Sequence, residues 1–209
     1  MALEVGSRLG HYDVTALIGE GGMGEVYRAI AVGVMLVVLA SSGAQGAQDE
    51  WEVADRATRR LAPAQVAGLP EGVRSYLEGL GCTIPVPAWG DGLTNVARGE
   101  FRQAGRADWA VLCSIDRISR ILVFWNGDPV HVAVLAEQPD RDYLQRDETG
   151  RPVFSRALET ADPQCVRRKW EAGDPPEMVH AGIEDHFLGK ASMIYYYESG
   201  QWIELLGAD

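Results

Sequence analysis

Residues 69–209 are predicted to fold as an α+β domain, an antiparallel β meander with a few short helices packed against it. Three observations carry this reading. Segments 94–101, 108–114, 120–125 and 130–135 are rich in aliphatic, aromatic and β-branched residues and are separated by polar turns. Asn126-Gly127 stands between the last two, and this pair is the commonest two-residue hairpin turn because both residues tolerate positive φ. Segments 191–197 and 201–206 flank Ser199-Gly200 as a second hairpin.

In chain order, residues 48–68 form a lead-in. Positions 51–61 have helix-friendly composition, and both a mobile lead-in and a docked helix are open readings. In 69–81, Val73, Tyr76, Leu77 and Leu80 recur at helical spacing, with Pro70 at the start and Gly81 at the stop. Thr83-Ile84-Pro85-Val86-Pro87 must be extended, because proline excludes the helical region for the residue before it. Segment 108–114 is nearly all apolar, which predicts a strand covered on both faces. A further strand is expected in 153–158. A short helix is expected from Asp162, as N-cap, with Pro163 in its first turn, through Trp170. The remainder of 137–189 is polar and turn-rich. In the C-terminal hairpin, alternation puts Ile194 and Tyr196 on one side, Tyr195 and Tyr197 on the other. The side with Ile194 is expected to face the core. Tyr195 and Tyr197, joined by Trp202, then form an outward face and a candidate interaction surface. Cross-strand aromatics stabilising a half-exposed sheet are the alternative.

The 209 residues are 46% hydrophobic and 23% charged, an ordinary globular composition, with a net charge of −11. From Gln48 onward 17 Lys and Arg stand against 26 Asp and Glu, near −9. This balance and the lack of a basic stripe exclude nucleic acid as a partner and oppose docking on anionic lipid. Of the three cysteines, none form a CxxC pair, which removes zinc-ribbon and thioredoxin-like readings. One disulfide plus a leftover thiol suits an oxidising compartment, and three buried thiols are the alternative. Cys82 and Cys113 are the expected pair, closing a loop of about 30 residues.

An uncharged apolar run of 12 residues, 29–40, divides the chain. It is short for a membrane span, which takes about 20 residues, and fits the ~7–15-residue core of a secretory signal. Small residues follow at Ser42-Gly43-Ala44 and Ala44-Gln45-Gly46, so processing is expected near 44–47. Residues 29–47 are therefore assigned as an apolar, signal-like helix, cleaved on export to the periplasm or medium. An uncleaved anchor and a buried core segment are the other readings. Membrane contact is expected only through 29–47.

Before the run, Gly19, Gly21, Gly24 and Val26, with flanking residues from 9 to 29, match G-x-G-x-x-G-x-V. The segment resembles the opening of bacterial serine/threonine protein kinases, which implies a strand–turn–strand loop closing over nucleotide phosphates. No phosphate-pairing lysine, His-Arg-Asp loop or Asp-Phe-Gly follows, and phosphoryl transfer needs all of these on a complete scaffold. Residues 1–28 are read as a truncated, kinase-like leader, not a folded domain, and its glycine loop as non-functional. Fusion with a kinase 5′ end, a mis-assigned start and a start at Met23 are open explanations.

Residues 99–112 resemble one FG-GAP or VCBS-type repeat motif, which implies a calcium loop. Here Glu100 and Asp108 hold acidic positions, while Arg102 and Ala104 replace two ligands, so no metal is expected. Residues 69–209 also resemble small exported bacterial proteins of unknown function. His180, Glu184, Asp185 and His186 are the one cluster with ligand-type side chains. On a helix His180 and Glu184 would share a face and His186 would not, so surface or capping roles are expected. Ser114, Ser155 and Ser192 lie outside any nucleophile motif, and Cys165, beside Val166-Arg167-Arg168-Lys169, reads as a stray thiol on a surface helix. No catalytic residue and no cofactor is assigned. The expected function is an exported, non-catalytic domain that binds a protein or an extracellular ligand. A small extracytoplasmic hydrolase and a kinase-derived fragment without activity are the alternatives.

Overall fold

The structure, a computed structural model, describes residues 8–9, 12–21, 24–31, 42–90, 92, 94–170 and 174–207, with side chains from Glu50 onward. The chain divides into two compact units, Met1–Ala44 and Gln45–Asp209.

In the first unit β1 (Arg8–Leu9), β2 (Tyr12–Gly21) and β3 (Gly24–Ala31) form an antiparallel sheet in that order. Gly21 pairs with Gly24 and Gly19 with Val26, so the glycines sit at the tip of a hairpin. Residues 29–31 of the apolar run end β3. The rest of the run, and with it the expected signal-like helix, lies outside the described residues. No described helix is long and apolar enough to cross a membrane.

The second unit is α+β with antiparallel sheets. It holds α1 (Ser42–Ala57) from Gln45 onward, then β4 (Arg60–Leu61), α2 (Glu71–Gly79) and β5 (Ile84–Pro85). Then β6 (Val96–Gly99), β7 (Asp108–Ile115), β8 (Ile118–Phe124) and β9 (Val132–Pro139) form a meander. A small hairpin, β10 (Leu144–Arg146) and β11 (Pro152–Phe154), follows. A second four-stranded sheet contains β12 (Arg156–Ala161), β13 (Gly182–Phe187), β14 (Ala191–Glu198) and β15 (Gln201–Leu206), with α3 (Pro163–Arg168) after β12.

Strand alternation turns these elements into four layers. Ala110, Leu112, Ile121 and Val123 of the meander meet Leu158, Ile183 and Tyr195 of the second sheet in one buried cluster, so the two sheets pack face to face. The meander's other face, with Val111, Cys113, Leu122 and Phe124, packs on Val73 and Leu77 of α2. The second sheet's other face, with Ala161, Ile194, Tyr196 and Leu205, packs on Val166 of α3. This double cover explains why 108–114 reads as apolar throughout. Cys82 and Cys113 are bonded, with Cα atoms 5.5 Å apart, and staple the segment after α2 onto β7. The pair fits an extracytoplasmic protein.

Of the two readings open for the lead-in the docked one holds, and the hairpin turn and residues 182–187 differ from expectation. Residues 48–68 are docked: Trp51 and Ala54 lie against the inter-sheet core, Asp55 is buried, and β4 pairs with β5. Asp55 is ion-paired to Arg60 and Arg117, and Arg60 also reaches the buried Asp140 at 2.7 Å. Asn126 and Gly127 do have positive φ (54° and 68°) and form a turn closed by the Asp128 N–H donating to the Trp125 carbonyl at 2.9 Å, but a longer loop follows before β9. The Asn126 N–H donates to Asp108 Oδ1 at 2.7 Å, tying the turn to the start of β7 instead of to a partner strand. The two-residue turn that directly joins paired strands is Asp116-Arg117, φ 51° and 64°, between Ile115 and Ile118. Residues 182–187 are a strand, although the run Glu184-Asp185-His186 reads as turn-like.

Candidate functional site

The sandwich is closed along one edge and open along the other. At the closed edge Asn95, fully buried just before β6, donates from Nδ2 to the Pro85 and Arg156 carbonyls at 2.8 and 2.9 Å. Its Oδ1 accepts from the Leu158 N–H at 2.8 Å. One amide thus ties the segment before β6 to β12 by two hydrogen bonds and to β5 by a third. At the opposite edge β9 and β15 each have a single strand neighbour. There the inward-facing side chains are only partly covered: Ala133, Leu135, Met193 and Trp202 are half-buried, Glu204 is exposed, and Leu206 is 65% exposed.

The open edge forms a cleft with two distinct ends. At one end Trp125 stacks on Trp202, ring centroids 5.6 Å apart, and Tyr197 contacts both rings at 5.0 and 5.2 Å. The Arg102 guanidinium lies 5.5 Å from the Trp125 ring. At the other end a pocket of about 410 Å³ is lined by Gln138, Asp142, Tyr143, Asp185, Phe187, Ala191, Ser192, Met193, Tyr195 and Leu206. That volume lies in the range of small-molecule sites.

A buried ion pair supports the pocket. Arg156, fully buried, donates from Nε and Nη2 to the two oxygens of Asp185 at 2.9 and 2.8 Å. It crosses to the other sheet through Ser119 Oγ and the Ala136 carbonyl, both at 2.9 Å, and its guanidinium lies 4.3 Å from the Tyr143 ring. Burial works against the Arg156 charge, but the hydrogen bonds and charge of Asp185 outweigh it and raise the pKa. The Ala136 carbonyl is aimed by a bulge: β9 slips register between the Ser119–Gln138 and Ile121–Leu135 pairs, and Ala136 takes φ 50°. The same bulge sets where Gln138 enters the pocket.

Above this pair stand two phenols. Tyr195 is 7% exposed, and its pKa is raised by burial and then by the charges of Asp185 and Glu204. Burial and Asp185 raise that of Tyr143 as well. Both therefore stay protonated donors at neutral pH, and neither hydroxyl has a hydrogen-bond partner among the described residues. Arg156 engages both oxygens of Asp185.

Other residues singled out in the sequence fall elsewhere. Tyr195 is not on an outward face. With both faces of the second sheet covered, Ile194 and Tyr196 face the α3 layer, while Tyr195 and Tyr197 face the inter-sheet layer. Of the expected interaction residues, Tyr197 and Trp202 remain half-exposed at the aromatic end of the cleft, and Tyr195 is buried at the other. On strand β13 Glu184 and His186 share a face and Asp185 takes the opposite one, reversing the helical expectation. His180 is buried, stacked on Tyr196 at 4.4 Å. His186 Nε2 lies 3.1 Å from Glu159 and 3.7 Å from Glu184, while the Ser192 hydroxyl donates to Glu184 at 2.6 Å. No group of three His, Cys, Asp or Glu side chains suited to a metal ion occurs among the described residues.

Asp108, the remaining acidic position of the repeat-like motif, spends its carboxylate on the backbone. Oδ2 accepts from the Phe101 and Arg102 N–H groups at 3.0 and 3.1 Å, and Oδ1 from Asn126. Ser114 donates to Asp140 at 2.7 Å, Ser155 to the Tyr143 carbonyl at 2.8 Å, and Cys165 is an unbonded, half-buried thiol.

Arg156, Tyr143 and Gln138 went unremarked in the sequence. The one signal for Arg156 was an arginine inside the apolar stretch 153–158. Comparison with known protein families, with curated proteins and with solved structures finds no match to this chain.

Proposed function

We propose that the chain is exported and that its second unit acts outside the cytoplasm as a non-catalytic binding domain, with its ligand entering the open edge of the sandwich. One observation carries the binding half of this reading. Tyr195, whose side chain is largely covered, and Leu206, a strongly exposed leucine, share the wall of one pocket, and no protein group pairs with the Tyr195 hydroxyl among the described residues. A hydroxyl with no protein partner is open to a ligand acceptor, and exposed apolar surface gains by being covered. The disulfide supports the compartment.

Two experiments test it. The full chain, expressed in a bacterium, is expected to yield an extracytoplasmic product whose N-terminus lies between Gln45 and Gln48. Unprocessed protein confined to the cytosol contradicts export. A fragment library screened against the full chain by saturation-transfer NMR is expected to give hits that disappear in Leu206→Glu. Hits indifferent to that change, or no hits, contradict the site.

A further inference from the structure

Taking the cleft as the binding site, we propose that its ligand is a neutral oligosaccharide, with one sugar unit in the Tyr143–Tyr195 pocket and the chain running along β15 to Trp202. The chemistry of the lining selects a neutral polyol. Tyr143 and Tyr195 offer two hydroxyl donors, Asp142 offers acceptors, and Gln138 offers both, while Met193 and Leu206 supply aliphatic surface. No Lys, Arg or His lines the pocket; Arg156 is held by Asp185 and Lys190 lies on the Phe187 ring at 4.2 Å, so a phosphate or carboxylate would meet no cation in the lining itself. The buried carboxylate, Asp185, is already neutralised by the two hydrogen bonds from Arg156, so it does not call for a cation. A purely apolar ligand would bury the two phenols without partners, which binding sites penalise heavily.

The length of the ligand follows from β15. Trp202, Glu204 and Leu206 alternate onto the cleft side of that strand, and Trp202 pairs with Tyr197 while Leu206 pairs with Met193. At ~3.4 Å per residue, the aromatic platform lies about 14 Å from the pocket wall. Between them the exposed Glu204 offers an acceptor over a surface otherwise apolar. A pocket for one ring, a carboxylate, and then the Trp125–Trp202 stack with Tyr197 set edge-on beside it form a row suited to successive rings with hydroxyl edges and C–H faces. The acidic second unit, near −9 from Gln48 onward, disfavours charged glycans of the same shape.

Isothermal calorimetry on the disulfide-intact full chain tests this with hexamers and monomers of neutral gluco-, galacto-, manno- and N-acetylhexosamine series. An oligogalacturonate, choline and an uncharged hexapeptide serve as controls. At least one neutral hexamer is expected to bind, with its monomer at least tenfold weaker. Tyr195→Phe, which keeps the ring, is expected to weaken both by roughly three- to tenfold, the loss of one hydrogen bond, with an unchanged melt. Trp202→Ala is expected to bring the hexamer toward the monomer's affinity and leave the monomer unaffected. Binding of no neutral glycan, or binding indifferent to Tyr195→Phe, overturns the proposal. If choline, the peptide or a screened fragment binds in a Leu206→Glu-sensitive way while no glycan does, the oligosaccharide is wrong and the cleft remains the site. If nothing binds, both fall.

Discussion

Replacing Asn95 by alanine should open the closed edge of the sandwich at a cost that the structure sets. The side chain is fully buried and makes three hydrogen bonds, to Pro85, Arg156 and Leu158, that link the segments on either side of the inter-sheet layer. Truncation leaves two carbonyls and one N–H without these partners, at roughly 1–1.5 kcal/mol each. Asn95 also has φ 54°, a left-handed conformation that asparagine tolerates better than alanine, which adds about 1 kcal/mol. The sum, about 4–5 kcal/mol, is a large part of the ~5–15 kcal/mol that holds a typical domain. For a unit of this size it corresponds to a melting point lower by roughly 10–15 °C. Differential scanning calorimetry on the oxidised chain measures it. Asn95→Asp is the informative companion. It keeps an acceptor for Leu158 but turns a carboxylate oxygen toward two carbonyls. Its deficit should therefore exceed that of a single lost bond at pH 7 and shrink as acid protonates the new carboxyl. An Asn95→Ala melt within 3 °C of the parent would refute the idea that this amide closes the edge.

Reducing Cys82–Cys113, which closes 31 residues, should lower stability by about 3–4 kcal/mol in urea titrations, with alkylation confirming two released thiols. Coincident oxidised and reduced curves would remove the disulfide from the list of stabilising features. Arg156→Met alone should cost about 3–5 kcal/mol, because Asp185 is left buried and unpaired. Arg156→Met with Asp185→Leu should recover most of that, and a double variant no better than the single would show that packing, not charge, is at stake. Tyr143, Tyr195 and Tyr196 have pKa values raised by burial. Their contribution is complete below the ordinary tyrosine pKa of ~10 and is lost as the pH rises above it toward the folded-state values. The urea midpoint should fall between pH 9 and 11, and less steeply in Tyr195→Phe. An identical slope in that variant would contradict the burial of this phenol.

What could be read from the sequence was what repeats locally. The apolar run 108–114, the Ser199-Gly200 turn, the Asp162-Pro163 helix start and the Cys82–Cys113 pairing each depend on neighbours in the chain or on counting cysteines. Asp162 does cap α3, accepting from the Cys165 N–H at 2.7 Å. The layering was not legible, because covering the second sheet on both faces depends on which elements meet across it. Ile194 was recognised as buried, but nothing in 191–197 indicates that Tyr195 is buried as well. Strand β13 was hidden because its outward positions, Glu184 and His186, alternate with the inward Asp185, whose charge is offset only by Arg156, 29 residues earlier. The Asp116-Arg117 turn escaped notice because neither residue is a glycine or asparagine. The pocket draws its lining from Gln138–Tyr143 and from β13–β15, and no spacing along the chain announces that convergence.

The open edge can be examined most directly through a methionine. Of the five in the chain, Met193 lies in the pocket, while Met178 packs on the far side of the second sheet against α3. A ¹³C-methyl methionine spectrum of the full-length, disulfide-intact chain, titrated with the neutral hexamers and the fragment hits, reports both positions at once. Ligand binding in the cleft predicts that the Met193 methyl shifts saturably, that the Met178 methyl stays in place, and that Leu206→Glu abolishes the shift. Saturable movement of Met178 with Met193 unmoved would place the ligand on the other face and contradict the cleft as the site.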